Sequence, residues 1–256
     1  MKHINRILLI SCIALVFVPQ QLLSKSTGDF NFPRSIRYKI LRNTQYVSTN
    51  TLKFGKKGLS TVLVSIDNFL SLNGEKLIAY VNGETYSLFS ILIMRQKQVL
   101  HEWRIKKNSG LGLLDGNVIS YKDYQETNPS ISQIGTSYRV IDMLSSFFIL
   151  SNKISTANFE TEQFHFISGK SVITVNSIVD RNIPIQYKSD KICTTKITLK
   201  HNLESEKNKQ MKYLDIVSFN VYYDRKRELW FPIHVRIEDN INNNQYQLIA
   251  IDWIRQ

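Results

Sequence analysis

Trp230-Phe231-Pro232-Ile233-His234-Val235-Arg236-Ile237-Glu238 is the stretch that decides the fold. Ile233, Val235 and Ile237 alternate with His234, Arg236 and Glu238, the period of two that sends successive side chains to opposite faces of a half-buried strand. Asn240 to Asn244 then turns the chain into a second apolar run, Tyr246 to Ile254. A strand, a polar turn and a strand make a hairpin, and working outward from it shows the same rhythm along most of the chain.

Towards the N-terminus Ile36, Tyr38 and Ile40 alternate with Arg37 and Lys39, and β-type runs follow at Thr61 to Ile66, Lys76 to Val81, Thr85 to Ile93 and Val99 to Ile105. Asn73-Gly74, Asn82-Gly83 and Asp115-Gly116 are turn dipeptides, the last placed before Val118 to Tyr121. In the C-terminal half Gln163 to Ile167 and Ser171 to Val179 flank Ser168-Gly169-Lys170, and Ile192 to Leu199 and Ile216 to Tyr223 flank the Lys-rich stretch from His201 to Lys212. The break is Tyr138 to Leu150, where Ile141, Leu144, Phe147 and Phe148 fall at helical spacing. The expected fold is therefore mainly β, a single antiparallel, curved sheet or half-barrel with one central helix at about residues 138–150.

The 256 residues suit one domain of this class, and 43% apolar residues, with 13 Phe, 12 Tyr and 3 Trp, suffice for a sizeable core. At the N-terminus Lys2, His3 and Arg6 precede an apolar run from Ile7 to Val18, broken only by Ser11 and Cys12, and the small residues Ser24 and Ser26 follow. Basic head, short apolar run and small-residue end are the pattern of a cleaved export signal, whereas a spanning helix needs nearer 20 apolar residues. Residues 1–26 are thus expected to be a signal peptide and 27–256 one β-rich domain, placed in the periplasm, at the outer membrane or outside the cell. Leu9-Ile10-Ser11-Cys12 resembles a lipoprotein cleavage box, but the apolar run continues past the cysteine.

The net charge of +12 favours acidic partners. Its densest clusters, Lys53, Lys56 and Lys57 and then Arg225, Lys226 and Arg227, are expected as solvated turns. With only Cys12 and Cys193, the mature chain holds one thiol, expected as a small buried hydrophobe on a strand. His101, His165, His201 and His234 show no metal-ligand spacing, and neither a nucleophile elbow nor a phosphate-cradling glycine loop occurs. No catalytic residue, metal or cofactor is expected from these residues.

Tyr138 to Phe148, together with Val221-Tyr222-Tyr223-Asp224 and Leu229 to Glu238, resembles in order and spacing an exported bacterial family, the domain of unknown function three-one-zero-eight. The resemblance implies an envelope location and a mostly β fold, similar to lipoprotein-carrier half-barrels in which a curved sheet wraps a helix around an apolar cavity. On this reading Phe147, Phe148, Leu144, Tyr222 and Trp230 are the candidate ligand-binding residues, and Asp142 and Pro232 belong to the structural motif. Asp142 is expected to cap the helix, and Tyr222, Tyr223, Trp230 and Phe231 to form cross-strand pairs.

Two functions stand. The first is non-enzymatic binding of an apolar or amphipathic ligand, such as lipid or lipoprotein acyl chains. The second is a structural or interaction protein of the envelope that docks onto a partner protein, an anionic membrane surface or an anionic polymer. Nucleic acid is not an expected partner.

Overall fold

The computed structural model describes Phe32 to Ile254 apart from residues 58–59, 68–74, 84, 86, 109–115, 127–131, 137, 155–158, 160, 169–170, 202–213 and 240–242. Contacts divide the chain into Met1–Phe30 and Asn31–Gln256. The expected signal peptide lies outside the described residues, as does the Asn73-Gly74 turn.

Among the described residues the second unit is one open sheet of fifteen strands and one helix. The strands are β1 Ser35–Arg42, β2 Gln45–Lys57, β3 Thr61–Asp67, β4 Glu75–Asn82, β5 Ser87–Arg95, β6 Gln98–Asn108, β7 Gly116–Asp123, β8 Ser132–Thr136, β9 Arg139–Asp142, β10 Gln163–Ser168, β11 Ser171–Tyr187, β12 Asp190–His201, β13 Leu214–Asp224, β14 Leu229–Asp239 and β15 Asn244–Ile254. The helix, α1, is Met143–Ile154.

The two halves of the chain meander away from a common seam. β1 pairs with β15 at the centre, β2 to β8 follow outward on one side, and β14 back to β9 follow on the other. Consecutive in sequence, β8 and β9 form the two ends of the sheet, which does not close into a barrel. Helix α1 touches β3 and β4 in one half and β10 and β14 in the other, so the sheet curves round it.

Local chemistry sets the register. The β1–β2 and β5–β6 hairpins turn on Asn43-Thr44 and Gln96-Lys97, each with both residues at positive φ, the arrangement whose twist matches paired strands. In β14 Ile233, Val235 and Ile237 are fully buried while Arg236 is exposed, as the alternation requires. Pro232 lacks an N–H, which a central strand tolerates only at an irregularity. It sits where the β13–β14 register shifts, beyond the end of the β14–β15 pairing. Its carbonyl is used, because the Tyr38 hydroxyl donates to it at 2.5 Å from β1, two strands away. Ala250 stands opposite Tyr38 on the intervening β15. Complete burial, and next the neighbouring Tyr187, raise the Tyr38 phenol well above its ordinary range, so it remains a donor.

Three expectations are corrected here. The helix begins at Met143, not Tyr138, because Arg139–Asp142 pairs with β10 as a strand. That pairing is parallel, the exception in an otherwise antiparallel sheet. Lys53, Lys56 and Lys57 lie on β2 and not in a turn. The sequence reading also passes over β2, β8 and the second half of β11.

Ten of the twelve residues of α1 are buried, which places the helix in the core rather than on the surface. Asp142 caps it: Oδ1 accepts from the Ser145 N–H at 2.9 Å and Oδ2 from the Leu144 N–H at 3.3 Å, while Ser145 Oγ accepts the Asp142 N–H at 2.8 Å. This is the reciprocal arrangement of a capping box with serine in the third position.

Candidate functional site

The structure divides the sequence-derived ligand set. Leu144, Phe147 and Phe148 are completely buried. Phe147 meets Phe219 edge to face at 5.4 Å, and Phe148 packs against Phe32 at 5.3 Å and Phe54 at 6.4 Å. These rings pack against other aromatic side chains of the core. Tyr222 and Trp230 lie elsewhere, beside the hairpin ends of the sheet.

Those ends form an open groove of about 780 Å³. One wall is the β11–β12 hairpin, with Asn182, Tyr187, Lys188, Asp190 and Thr195. The other is the β13–β14 hairpin, with Tyr222 to Arg227 and Trp230, and Trp253 of β15 completes the lining. Its apolar contribution includes Ile192, Val221 and Ile233.

Asp224 organises the second wall. Its Oδ1 accepts the backbone N–H groups of Lys226 at 3.1 Å and Arg227 at 3.3 Å, which folds the turn. Its Oδ2 accepts from the Arg227 guanidinium and from Trp253 Nε1, each at 3.0 Å. Burial acts to raise this carboxyl, but the hydrogen bonds from Arg227, Trp253 and the turn outweigh it and hold the group below its ordinary value. Arg227 in turn lies 5.6 Å over the Trp253 ring, a cation–π contact, and Trp253 packs on Phe231 at 4.7 Å.

Cross-strand aromatic pairs occur as expected. Tyr223 and Trp230 are stacked at 4.7 Å with 28° between their planes, and Tyr222 meets Phe231 edge to face at 6.0 Å. Tyr222, Tyr223 and Trp230 stay partly exposed. Arg225 and Lys226, at the exposed tip, have no ion-pair partner among the described residues, whereas Arg227 is held by Asp224. Lys188, on the facing hairpin, lies over Tyr187 at 5.4 Å.

Cys193 also lines the groove, and it is exposed. The expectation of a buried thiol is corrected by strand alternation: Thr194 points inward, bonded to Ile183 O and Asn220, and Cys193 outward. Asp224, Trp253 and the β11–β12 hairpin were absent from the sequence-derived set. The signal available for them was the run Tyr222-Tyr223-Asp224-Arg225-Lys226-Arg227, in which aromatic residues meet a carboxylate with an arginine three positions on.

A second polar cluster lies on β6 and β7, where the Tyr121 hydroxyl is 3.0 Å from His101 Nδ1 and 3.3 Å from Asp123 Oδ2. Glu102 points to the other face, accepting from Arg104 at 2.6 Å and Tyr124 at 2.7 Å. Among the described residues no three His, Cys, Asp or Glu side chains are placed to hold a metal ion. No helix of the described residues is long and apolar enough to cross a membrane. Comparison with known proteins gives no matching family, no matching curated protein and no matching solved structure.

Proposed function

We propose that this chain acts, after export, as a binding protein of the cell envelope, and that its groove takes an amphipathic ligand carrying negative charge. The observation that carries the reading is one juxtaposition: partly exposed aromatic rings, Tyr222, Tyr223 and Trp230, beside two exposed cations, Arg225 and Lys226, that have no ion-pair partner among the described residues. Aromatic faces bind by area and shape, and fixed cations select the charge of what lies against them. Export rests on the pattern of residues 1–26.

Of the two readings drawn from the sequence, docking onto an anionic partner draws the better support. The interior around α1 is filled by Leu144, Phe147 and Phe148, while the groove is open to water and edged with charge. Lipid headgroups and anionic polymers both offer the required chemistry.

The test uses the mature chain with R225E/K226E and, as a control, R42E/K200E, which reverses two exposed charges outside the groove. Binding to phosphatidylglycerol vesicles and to immobilised acidic polysaccharide is measured at about 0.15 M salt. The reading expects R225E/K226E to lose binding to at least one of them while the control retains it. Wild-type protein that binds neither, or equal loss in both variants, would contradict it.

A further inference from the structure

Resting on the groove as the binding site, we propose that its ligand is a segment of acidic polysaccharide, a chain of sugar rings bearing carboxylate or phosphate groups.

Sugar rings present a flat apolar C–H face and an edge of hydroxyls. The first fits the outer face of an aromatic ring, and the stacked Tyr223–Trp230 pair, partly exposed and held by its cross-strand register, offers such a face. The second needs hydrogen-bonding groups along the same groove, and Asn182, Asp190 and Thr195 supply amide, carboxylate and hydroxyl there. Asp190 would repel a bare anion, yet it accepts hydrogen bonds from hydroxyls, which favours a ligand that is polyhydroxylated as well as charged. The acid groups meet Arg225 and Lys226 at the tip, and Arg225 offers the planar fork that suits carboxylate and phosphate oxygens alike.

The shape of the site points the same way. A volume of about 780 Å³ falls within the range of roughly 300–1,000 Å³ typical of small-ligand sites and takes a short run of rings. It is an open groove lined by two hairpin ends, so a bound chain keeps one side in water. A polysaccharide tolerates that solvation, whereas an acyl chain gains most from enclosure on every side. Single-stranded nucleic acid also combines rings with charge, but it binds grooves whose cations track every phosphate, whereas here Arg225 and Lys226 sit at one tip, Lys188 on the facing hairpin, and the Asp190 carboxylate lines the groove with them.

The experiment is titration calorimetry of the mature full chain with four probes: oligogalacturonate, the same oligosaccharide fully methyl-esterified, a phosphorylated mannan, and phosphatidylglycerol vesicles. A ten-residue oligothymidine serves as the nucleic-acid comparison. The proposal expects binding of oligogalacturonate or the phosphorylated mannan, at least tenfold weaker for the neutral ester and at least tenfold weaker in R225E/K226E. Those two residues are exposed on a turn, so this variant folds, and Trp230→Leu is the second variant that probes the aromatic face. Binding of vesicles without either acidic glycan would overturn the polysaccharide assignment and leave the groove reading intact. Oligothymidine bound as tightly as the glycans would also overturn it. Wild-type protein that binds none of the probes contradicts both.

Discussion

The indole N–H of Trp253 donates to the carboxylate of Asp224 at 3.0 Å, a bond that ties the last strand of the chain to the turn between β13 and β14. The same carboxylate holds Arg227 and folds the turn through two backbone N–H groups. One buried side chain thus holds an indole, a guanidinium and the loop that carries Arg225 and Lys226.

Replacing Asp224 with Ala is therefore expected to lower stability by about 2–3 kcal/mol, since hydrogen bonds to a charged group contribute about 1.5–3 kcal/mol. The pH dependence has a definite sign. A carboxyl held below its ordinary value contributes fully above about pH 4–5, and the contribution fades as pH falls through the folded value. Chemical denaturation of wild type and Asp224→Asn across pH 7 to 3 should show a gap that narrows on acidification. A gap independent of pH would sink the assignment.

Tyr38→Phe removes a hydroxyl that donates to Pro232 O in the centre of the sheet. The carbonyl it leaves is buried, and a buried group without its partner costs about 1–3 kcal/mol. Tyr46→Phe removes an exposed hydroxyl and should change stability by less than about 0.5 kcal/mol. Urea midpoints of the two variants measure the contrast, and equal shifts would refute it.

Phe147→Ala and Phe148→Ala are each expected to cost about 3–5 kcal/mol, because both rings are completely buried against other aromatic side chains. The double variant should be largely unfolded, with no ligand effect separable from that loss. Were the double variant to keep its melting temperature while losing an apolar probe, these rings would line a ligand cavity instead of filling the core.

Most of the fold was legible in the sequence for a physical reason: a sheet with one face on a core writes its register as alternation, as Ile233, Val235 and Ile237 show. β2 was not legible because Tyr46 and Val47 are adjacent and exposed among the polar Gln45, Ser48 and Thr49, so no apolar period of two appears. The start of α1 was misplaced because Val140 and Ile141 are buried in a strand and happen to continue the apolar spacing of the helix. Tyr222 and Trp230 stood out as aromatic, but the groove they line depends on Asp224 and Trp253, residues 29 apart whose meeting the sequence does not encode locally. Cys193 went astray because it has the same parity on β12 as the buried Ile197 and Leu199, whereas that side of the strand is exposed near the hairpin end where Cys193 sits.

Burial depresses His165, and it depresses His234 despite an opposing hydrogen bond from Gln247. The unfolded chain binds these protons more readily than the folded one, so stability is complete above the ordinary imidazole value of about 6.5 and declines as pH falls below it. Melting temperatures between pH 7.5 and 5.5 should fall for wild type and fall less for H165Q/H234Q. Identical slopes would show that neither imidazole contributes.

Ligand is expected to enter the groove between the β11–β12 and β13–β14 hairpins, and the three tryptophans of the chain report on that entry directly. Trp230 and Trp253 line the groove, while Trp103 is buried on β6. In a nitrogen-15 correlation spectrum of the mature protein titrated with oligogalacturonate, the indole signals of Trp230 and Trp253 should shift and that of Trp103 should stay in place. A titration that moves Trp103 and leaves the other two unchanged, or that moves none of them, contradicts the account.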